Sequence, residues 1–253
     1  FSHEKFLMKY GNNVFGRMYA SLRTRKLENA VRKLDRFVVL TMADKEDWEK
    51  VRPDVEQIYN PLSFVSQDVS PLTAKRCMAA GRLEGQKNFK DLITAWQTVS
   101  ARHPDWTLSI YGNGSQREAL QSQINSAGLQ GKVILEGNTN NVRKEMLDSS
   151  CLVMSSRFEG FPMILLEALT TGLPIVSYDC PKGPSEVVTI GANGYLAKVG
   201  DTATLAQGIC SVIANEDLRK RFGAESKRRS ENFTLEKTME KWDNLFKSCQ
   251  SKA

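Results

Sequence analysis

Two kinds of segment alternate along the chain from Arg76 onward. Short runs rich in apolar and β-branched residues predict strands, and longer segments with apolar residues every three or four positions predict amphipathic helices. The strands are predicted at 76–81, 106–112, 132–137, 150–156, 174–179 and near Tyr195. The helices are predicted at 88–102, 115–127, 141–149, 162–171, 202–215 and 217–231. This alternation predicts the α/β fold class, with a Rossmann-like doubly wound parallel sheet.

The first 62 residues have a different pattern. They predict a long basic helix over about 14–35, a strand over 36–41, a helix over 42–52 and a short strand before Asn60. Two strands are too few for an independent doubly wound domain, so this part is predicted to be a partial N-terminal α/β remnant. Because the chain starts at Phe1 rather than Met, we expect that a preceding part of the protein is absent.

The last predicted helix, 234–249, has an apolar stripe that needs a partner surface. The stripe consists of Leu235, Met239, Trp242, Leu245 and Phe246. The chain is therefore predicted to have three parts. They are an N-terminal remnant at 1–62, the main domain at 63–232, and a C-terminal helix within 233–253 that packs back on the remnant.

Residues near the predicted helix ends agree with these boundaries. Ser115 and Glu118 have the spacing of a capping box, and Pro162 suits the first turn of a helix. Gly128 and Gly172 suit the position that follows a helix C-terminus.

Composition and charge narrow the class of protein. With 41% hydrophobic and 25% charged residues among 253, the chain is typical of a globular protein. No apolar run approaches the ~20 residues of a membrane span. Five cysteines without a C-x-x-C pair argue against a disulfide framework and favour a reducing compartment, the cytoplasm. Basic residues cluster at 17–36 and 219–229, which predicts solvated helix faces rather than a nucleic-acid site; peripheral contact with the inner face of a membrane stays open.

Three consecutive predicted strands end in glycine turns. Gly81 follows the first strand, Gly112 and Gly114 follow the second, and Gly137 follows the third. Each turn alone fits ordinary turn chemistry, but together at one edge of a sheet they predict a phosphate- or nucleotide-binding crevice. Arg117 stands where a dinucleotide fingerprint needs its third glycine, which disfavours a nicotinamide or flavin enzyme. A P-loop motif is absent from the sequence.

Charged residues flank the predicted crevice. Arg82 and Lys87 follow the first strand, and a guanidinium fork with a mobile ammonium suits a diphosphate. Glu159 lies in the loop before the helix at 162–171, and Glu167 lies inside that helix with seven residues between them. Glu167 can accept both hydroxyls of a ribose diol, and Glu159 lies nearer to the sugar end of such a ligand. Two solvent-exposed glutamates without a ligand are the alternative.

The N-terminus of the same helix is a further ligand-binding feature. Its electropositive end can bind an anionic or hydroxylated ligand through free backbone amides. The residues concerned are Phe161, Pro162, Met163 and Ile164, of which all but the proline carry an amide N–H.

Four segments together resemble one family. They are GRLEGQKN, YGNG, the E-x7-E segment of Glu159 and Glu167, and CPKGPSE. In this order and at these strand ends, they resemble the donor-binding domain of GT-B glycosyltransferases, in particular the retaining family 4, or glycosyl transferases group 1. The resemblance covers about residues 36–249. It implies the C-terminal half of a GT-B fold with a truncated N-terminal domain.

The resemblance also implies roles for single residues. Arg82 and Lys87 stabilise the donor diphosphate, Glu167 holds the ribose, and Glu159 contacts the donor sugar. The base is bordered by the loop that contains Asn138, Thr139 and Asn141. Transfer with retention, no bound metal and no cofactor other than the nucleotide-sugar substrate, UDP- or GDP-linked, are implied as well.

The front of the chain departs from the family pattern, which has a whole acceptor-binding domain there. We therefore expect a chain that binds a nucleotide sugar, with UDP favoured, and that transfers little alone. The intact protein is expected to act on a glycan or lipid-linked acceptor in bacterial surface polysaccharide synthesis. A non-catalytic nucleotide-sugar-binding regulatory module is the alternative. The sequence leaves the sugar, the acceptor, the linkage and the oligomeric state open.

Overall fold

The computed structural model describes residues 14–250, with side chains from Leu22 onward. The chain divides into two compact units, the first ending at Tyr59 and the second beginning at Asn60. Within the described range, no helix is long and apolar enough to cross a membrane.

The first unit contains two helices and a two-stranded parallel sheet. Its elements are α1 (Val14–Val31), β1 (Phe37–Val39), α2 (Met42–Glu49) and β2 (Val55–Gln57). Thr41 caps α2 because its hydroxyl oxygen accepts the backbone N–H of Asp44 at 2.9 Å. The Arg52 guanidinium donates to the carbonyl oxygens of Val31 and Leu34, both at 2.8 Å, and so ties the end of α1 and the turn after it to the segment that precedes β2. These four elements agree with the predicted ones.

The second unit contains a six-stranded sheet with helices between its strands. The strands are β3 (Arg76–Ala80), β4 (Thr107–Tyr111), β5 (Val133–Gly137), β6 (Cys151–Met154), β7 (Ile175–Tyr178) and β8 (Gly194–Ala197). The helices are α3 (Phe89–Arg102), α4 (Arg117–Ser126), α5 (Val142–Leu147), α6 (Met163–Thr170), α7 (Pro184–Val187), α8 (Thr202–Ala214), α9 (Glu216–Ser230) and α10 (Leu235–Gln250). A short 3₁₀ helix, Glu231–Phe233, precedes α10.

All strands of this sheet are parallel, in the order β5-β4-β3-β6-β7-β8. All residues of β6 and β7 are buried, as expected for central strands covered on both faces by helices. The chain runs outward from β3 to one side and from β6 to the other, so the topological switch point lies between these two strands. The predicted α/β fold class with a Rossmann-like doubly wound parallel sheet is confirmed.

The helix ends confirm part of the predicted capping chemistry. Gly128 and Gly172 follow their helices with φ of 66° and 70°, in the left-handed conformation that glycine adopts without strain. The predicted capping box of Ser115 and Glu118 is wrong. The backbone N–H and the hydroxyl of Ser115 both donate to the Glu84 carboxylate, at 2.9 and 2.8 Å, so Ser115 joins two loops and leaves α4 without a side-chain cap.

The C-terminal helix α10 carries the predicted apolar stripe. Within it Leu245 is buried, and Trp242 stacks on Phe246 with 5.7 Å between the ring centroids. The packing of this helix on the N-terminal remnant stays a prediction.

Candidate functional site

The turns after β3, β4 and β5 lie side by side at the carboxyl edge of the sheet. The Gly112 N–H donates to the Gly137 carbonyl at 2.7 Å. A Cβ atom added to Gly112 would lie 2.0 Å from the Gly81 carbonyl oxygen, and one added to Gly114 would lie 2.5 Å from the Leu83 carbonyl oxygen. Only glycine fits at these two positions, because the neighbouring backbone occupies the space of a side chain. The structure thus brings the predicted glycine turns together.

These turns line a cavity of about 260 Å³. This volume is slightly below the ~300–1,000 Å³ of typical small-molecule sites, so it suits one part of a nucleotide-sized ligand. Arg82 is exposed at its edge, and its guanidinium has no hydrogen bond or ion pair with another residue of the described range. The cavity therefore offers peptide groups and one available cation. Its lining consists of Ala80, Gly81, Arg82, Tyr111, Gly112, Asn113, Asn138 and Thr139.

Lys87 and Glu159 form an ion pair beside this cavity. The Lys87 Nζ lies 2.8 Å from Glu159 Oε1, and Glu159 is only 7% exposed. The aliphatic part of Lys87 passes over Gly81, where an added Cβ would lie 2.9 Å from Lys87 Cε. The two residues come from the loops after β3 and β6, on either side of the topological switch point. Glu159 is therefore a buried, paired carboxylate rather than an exposed loop residue.

Backbone contacts hold these two loops together. The Arg157 N–H donates to the Gln86 carbonyl at 2.8 Å, and the Gln86 side-chain amide donates to the Phe158 carbonyl at 2.9 Å. The Ser155 hydroxyl donates to the Lys87 carbonyl at 2.9 Å. Three hydrogen bonds between loops that are about 70 residues apart in sequence fix the backbone on which the ion pair stands.

Glu167 lies in the second turn of α6 and is half-buried. Burial raises the pKa of its carboxyl, and a hydrogen bond from Ser63 opposes that rise. Its polar partner in the structure is Ser63, whose hydroxyl donates to Glu167 Oε1 at 2.7 Å. Within the described range, the N–H groups of Met163 and Ile164 have no hydrogen-bond acceptor, as expected at a helix N-terminus.

The other predicted site residues lie in different surroundings. Pro162 is the N-cap residue of α6 and packs against Gly183 of the CPKGPSE loop. Phe161 is buried, with its ring 6.1 Å from that of Phe233. Asn141 caps α5, because its side-chain oxygen accepts the Lys144 N–H at 3.0 Å. Unlike Asn138 and Thr139, it is not among the residues that line the cavity.

Tyr111 is a cavity residue that the sequence analysis missed. Its hydroxyl donates to the Glu145 carboxylate at 2.5 Å and accepts from the Arg76 guanidinium at 3.2 Å. Burial and this carboxylate raise the pKa of Tyr111 to about 12, so the phenol stays neutral at physiological pH. Its position as the last residue of β4, directly before Gly112, was the signal that could have identified it.

An open parallel sheet with glycine turns at one edge and a cation–carboxylate pair at the switch point defines a Rossmann-like α/β domain, in which the crevice at the switch point is the usual ligand site. The sequence pattern of the family described as "Glycosyl transferases group 1" matches residues 66–229. This match covers more than half of the chain, so the chain belongs to that family.

Similar proteins include several glycosyltransferases. The chain is 30% identical over 220 residues to an uncharacterized glycosyltransferase of Haemophilus influenzae, covering 86% of the chain and 62% of that protein. It is 30% identical over 226 residues to poly(ribitol-phosphate) alpha-N-acetylglucosaminyltransferase of Staphylococcus aureus, covering 88% and 45% respectively. A crystal structure of an S. aureus TarM variant with fondaparinux, alpha-GlcNAc-glycerol and UDP matches with a TM-score of 0.81 at 25% identity, covering 88% and 46%. The chain thus spans less than two thirds of the length of each of these relatives.

Proposed function

We propose that this chain carries the donor site of a glycosyltransferase. In this proposal a sugar passes from a nucleotide sugar, with UDP-sugars favoured, to a glycan or lipid-linked acceptor with retention of configuration. The observation that carries the proposal is the ion pair of Lys87 with the buried Glu159, which lies beside Gly81 at the switch point of the sheet and next to the exposed Arg82. This arrangement combines two cations with glycine turns whose backbone a ligand can approach closely. Both features suit the binding of a diphosphate.

The charge of the leaving diphosphate is met by Arg82 and Lys87 in this proposal. A lysine ammonium has three N–H donors, and Lys87 uses one of them on Glu159. The other donors remain for phosphate oxygens, so the diphosphate binds without breaking the ion pair. Cations held in place before the reaction stabilise charge as it develops on the leaving group. Glu159, fixed by Lys87, is then placed to accept hydroxyls of the donor sugar.

The ribose is assigned to Glu167. A carboxylate has four lone-pair sites on two oxygens, and the Ser63 hydroxyl occupies one of them. Enough acceptor capacity remains for two ribose hydroxyls. The N–H groups of Met163 and Ile164, one turn earlier on the same helix, have no acceptor among residues 14–250 and are further donors for the ligand.

The relatives support the choice of donor and pathway. The matched TarM structure contains UDP, and the S. aureus relative is named for transfer to a poly(ribitol-phosphate) polymer. We infer a UDP-sugar donor and a bacterial surface polysaccharide acceptor from these similarities. The family 4 resemblance supports retention, metal independence and a location at the cytoplasmic side of the membrane. Peripheral lipid contact through the basic residues of α1 belongs to the same proposal.

Nucleotide binding is the first test. We expect calorimetric titration of the chain with UDP and GDP to show binding that favours UDP and is unchanged by EDTA or Mg²⁺. Arg82→Ala removes a charge-assisted contact and Glu167→Ala removes the ribose contact, so each is expected to weaken UDP binding by about 10-fold or more. Lys132→Ala is the control and should leave affinity unchanged, because Lys132 lies at the opposite end of β5, where its ammonium donates to the Pro104 carbonyl. Absence of binding to either nucleotide would contradict the donor-site assignment.

Sugar transfer is the second test. The probes are UDP-N-acetylglucosamine and poly(ribitol phosphate). We expect the 253-residue chain to transfer sugar close to the background rate, because the proposal assigns acceptor binding to a domain outside these residues. A longer protein that includes this chain is expected to transfer with the donor's anomeric configuration retained, as read by NMR of the product. Glu159→Ala should abolish that activity. Robust transfer by the chain alone would refute the inactivity proposal, and an active Glu159→Ala protein would favour a regulatory binding module.

A further inference from the structure

Ser63 contacts a residue of the proposed site from a distant part of the sequence. Its hydroxyl donates to Glu167 Oε1 at 2.7 Å, across a separation of 104 residues. Among residues 14–250, no other side chain or backbone group donates a hydrogen bond to this carboxylate. Ser63 itself is exposed, so the hydrogen bond lies at the surface where a ligand can reach it.

The segment around Ser63 is fixed along helix α6. The Ser66 N–H donates to the Thr170 hydroxyl at 3.0 Å, and the Ser70 N–H donates to the Thr171 carbonyl at 2.9 Å. Lys227 joins the two segments further, because its ammonium donates to the carbonyls of Ser66 and Thr170. Contacts at the C-terminal end of α6, one turn after Glu167, therefore hold the segment that presents the Ser63 hydroxyl to this carboxylate.

We propose that Ser63 is a positioning residue for ribose recognition, which holds the Glu167 carboxylate in the orientation that accepts the ribose hydroxyls. This inference rests on the proposed function, since it assumes that Glu167 binds the ribose. It adds a residue outside the E-x7-E segment to the donor site. It also makes the preference for ribose over deoxyribose depend on the segment that begins the second unit.

The physical basis is the rotation of a glutamate carboxylate. The terminal torsion of glutamate is broad, so a free carboxylate must be ordered when two hydroxyls bind to it. A hydrogen bond from a fixed serine restricts that rotation before the ligand arrives. The ribose then forms hydrogen bonds with a group that is already aligned, which strengthens its recognition.

The test compares two nucleotides that differ by one hydroxyl. Calorimetric titration of the chain with UDP and with 2′-deoxy-UDP gives the ratio of the two dissociation constants. We expect Ser63→Ala to reduce the preference for UDP by about fivefold, the size of one ordinary hydrogen bond. Ser63→Thr keeps a hydroxyl and should restore the preference. Ser126→Ala is the matched control, because it removes an exposed serine hydroxyl that donates to the Ser122 carbonyl of its own helix.

The possible outcomes separate the two proposals. If the wild-type chain binds neither nucleotide, the proposed function fails and the role of Ser63 fails with it. If the chain prefers UDP and Glu167→Ala removes that preference while Ser63→Ala does not, the proposed function stands and the role of Ser63 is wrong. A purely structural role for Ser63 would lower the urea midpoint of unfolding without changing the ratio, which also overturns the inference.

Discussion

Replacement of Lys87 by alanine is expected to destabilise the second unit by about 3–5 kcal/mol and to remove measurable binding of UDP. Glu159 is 7% exposed, and Lys87 Nζ lies 2.8 Å from its carboxylate. Removing one partner of a buried ion pair leaves an unpaired charge, which costs far more than the pair contributes. The same ammonium is assigned to the diphosphate of UDP. The substitution should therefore lower both the stability and the affinity for UDP. Urea unfolding followed by circular dichroism, together with calorimetric titration, measures both effects.

A double variant separates these two roles. Lys87→Ala combined with Glu159→Gln has no buried charge, so most of the lost stability should return, while UDP binding should stay absent because the cation is missing. Lys90→Ala is the control, since Lys90 is exposed on the first turn of α3. If Lys87→Ala has the wild-type urea midpoint of unfolding, the buried charge of Glu159 does not need Lys87 as its partner. If the double variant binds UDP normally, Lys87 does not bind the diphosphate.

The sheet could be predicted because its strands are buried by the same helices that separate them in sequence. β6 and β7 are buried at every position, so they appear as continuous apolar runs between amphipathic segments. The predicted strand at 150–156 is longer than the observed Cys151–Met154, because the serines that follow leave the strand to form the site loop. Element type follows from periodicity, whereas the end of an element depends on local hydrogen bonds.

Contacts between distant residues could not be predicted in the same way. Arg82, Lys87, Glu159 and Glu167 were each assigned to a ligand from residue type and position. The structure shows that Lys87 and Glu159 also pair with each other across 72 residues, and that Glu167 bonds to Ser63 across 104. Nothing in the composition of either segment specifies its partner. Tertiary packing decides which charges meet, so the sequence identified most members of the site but not how they are held.

The basic cluster at 219–229 is a second case in which tertiary contacts could not be predicted from the sequence. Its spacing predicted a solvated helix face, and Arg228 fits that prediction with its exposed ion pair to Glu225. Two other members of the cluster do not. Lys227 donates to the carbonyls of Ser66 and of Thr170 at the end of α6, and Arg219 is only 7% exposed. A basic residue that satisfies free carbonyls is indistinguishable in sequence from one that faces water.

Arg219→Met is expected to destabilise the second unit by about 3–5 kcal/mol while the folded protein keeps its affinity for UDP. The Arg219 guanidinium donates to the carbonyls of Val212 and Ile213 at 3.3 and 2.6 Å and to that of Leu72 at 3.2 Å. It also lies over the Trp106 ring, 5.3 Å from its centroid. Methionine keeps most of the volume but leaves three buried carbonyls without a donor, and each unpaired group costs about 1–3 kcal/mol. Urea unfolding measures the loss.

The matched control is Arg228→Met on the same helix, which should change the urea midpoint little because both partners of its ion pair are accessible to solvent. UDP affinity should be unchanged in Arg219→Met because Leu72 and Trp106 precede β3 and β4, at the amino edge of the sheet, whereas the candidate site lies at the carboxyl edge. A stable Arg219→Met protein would mean that water or a shifted side chain satisfies the carbonyls. Lost UDP binding in the folded variant would mean that the two edges of the sheet are coupled.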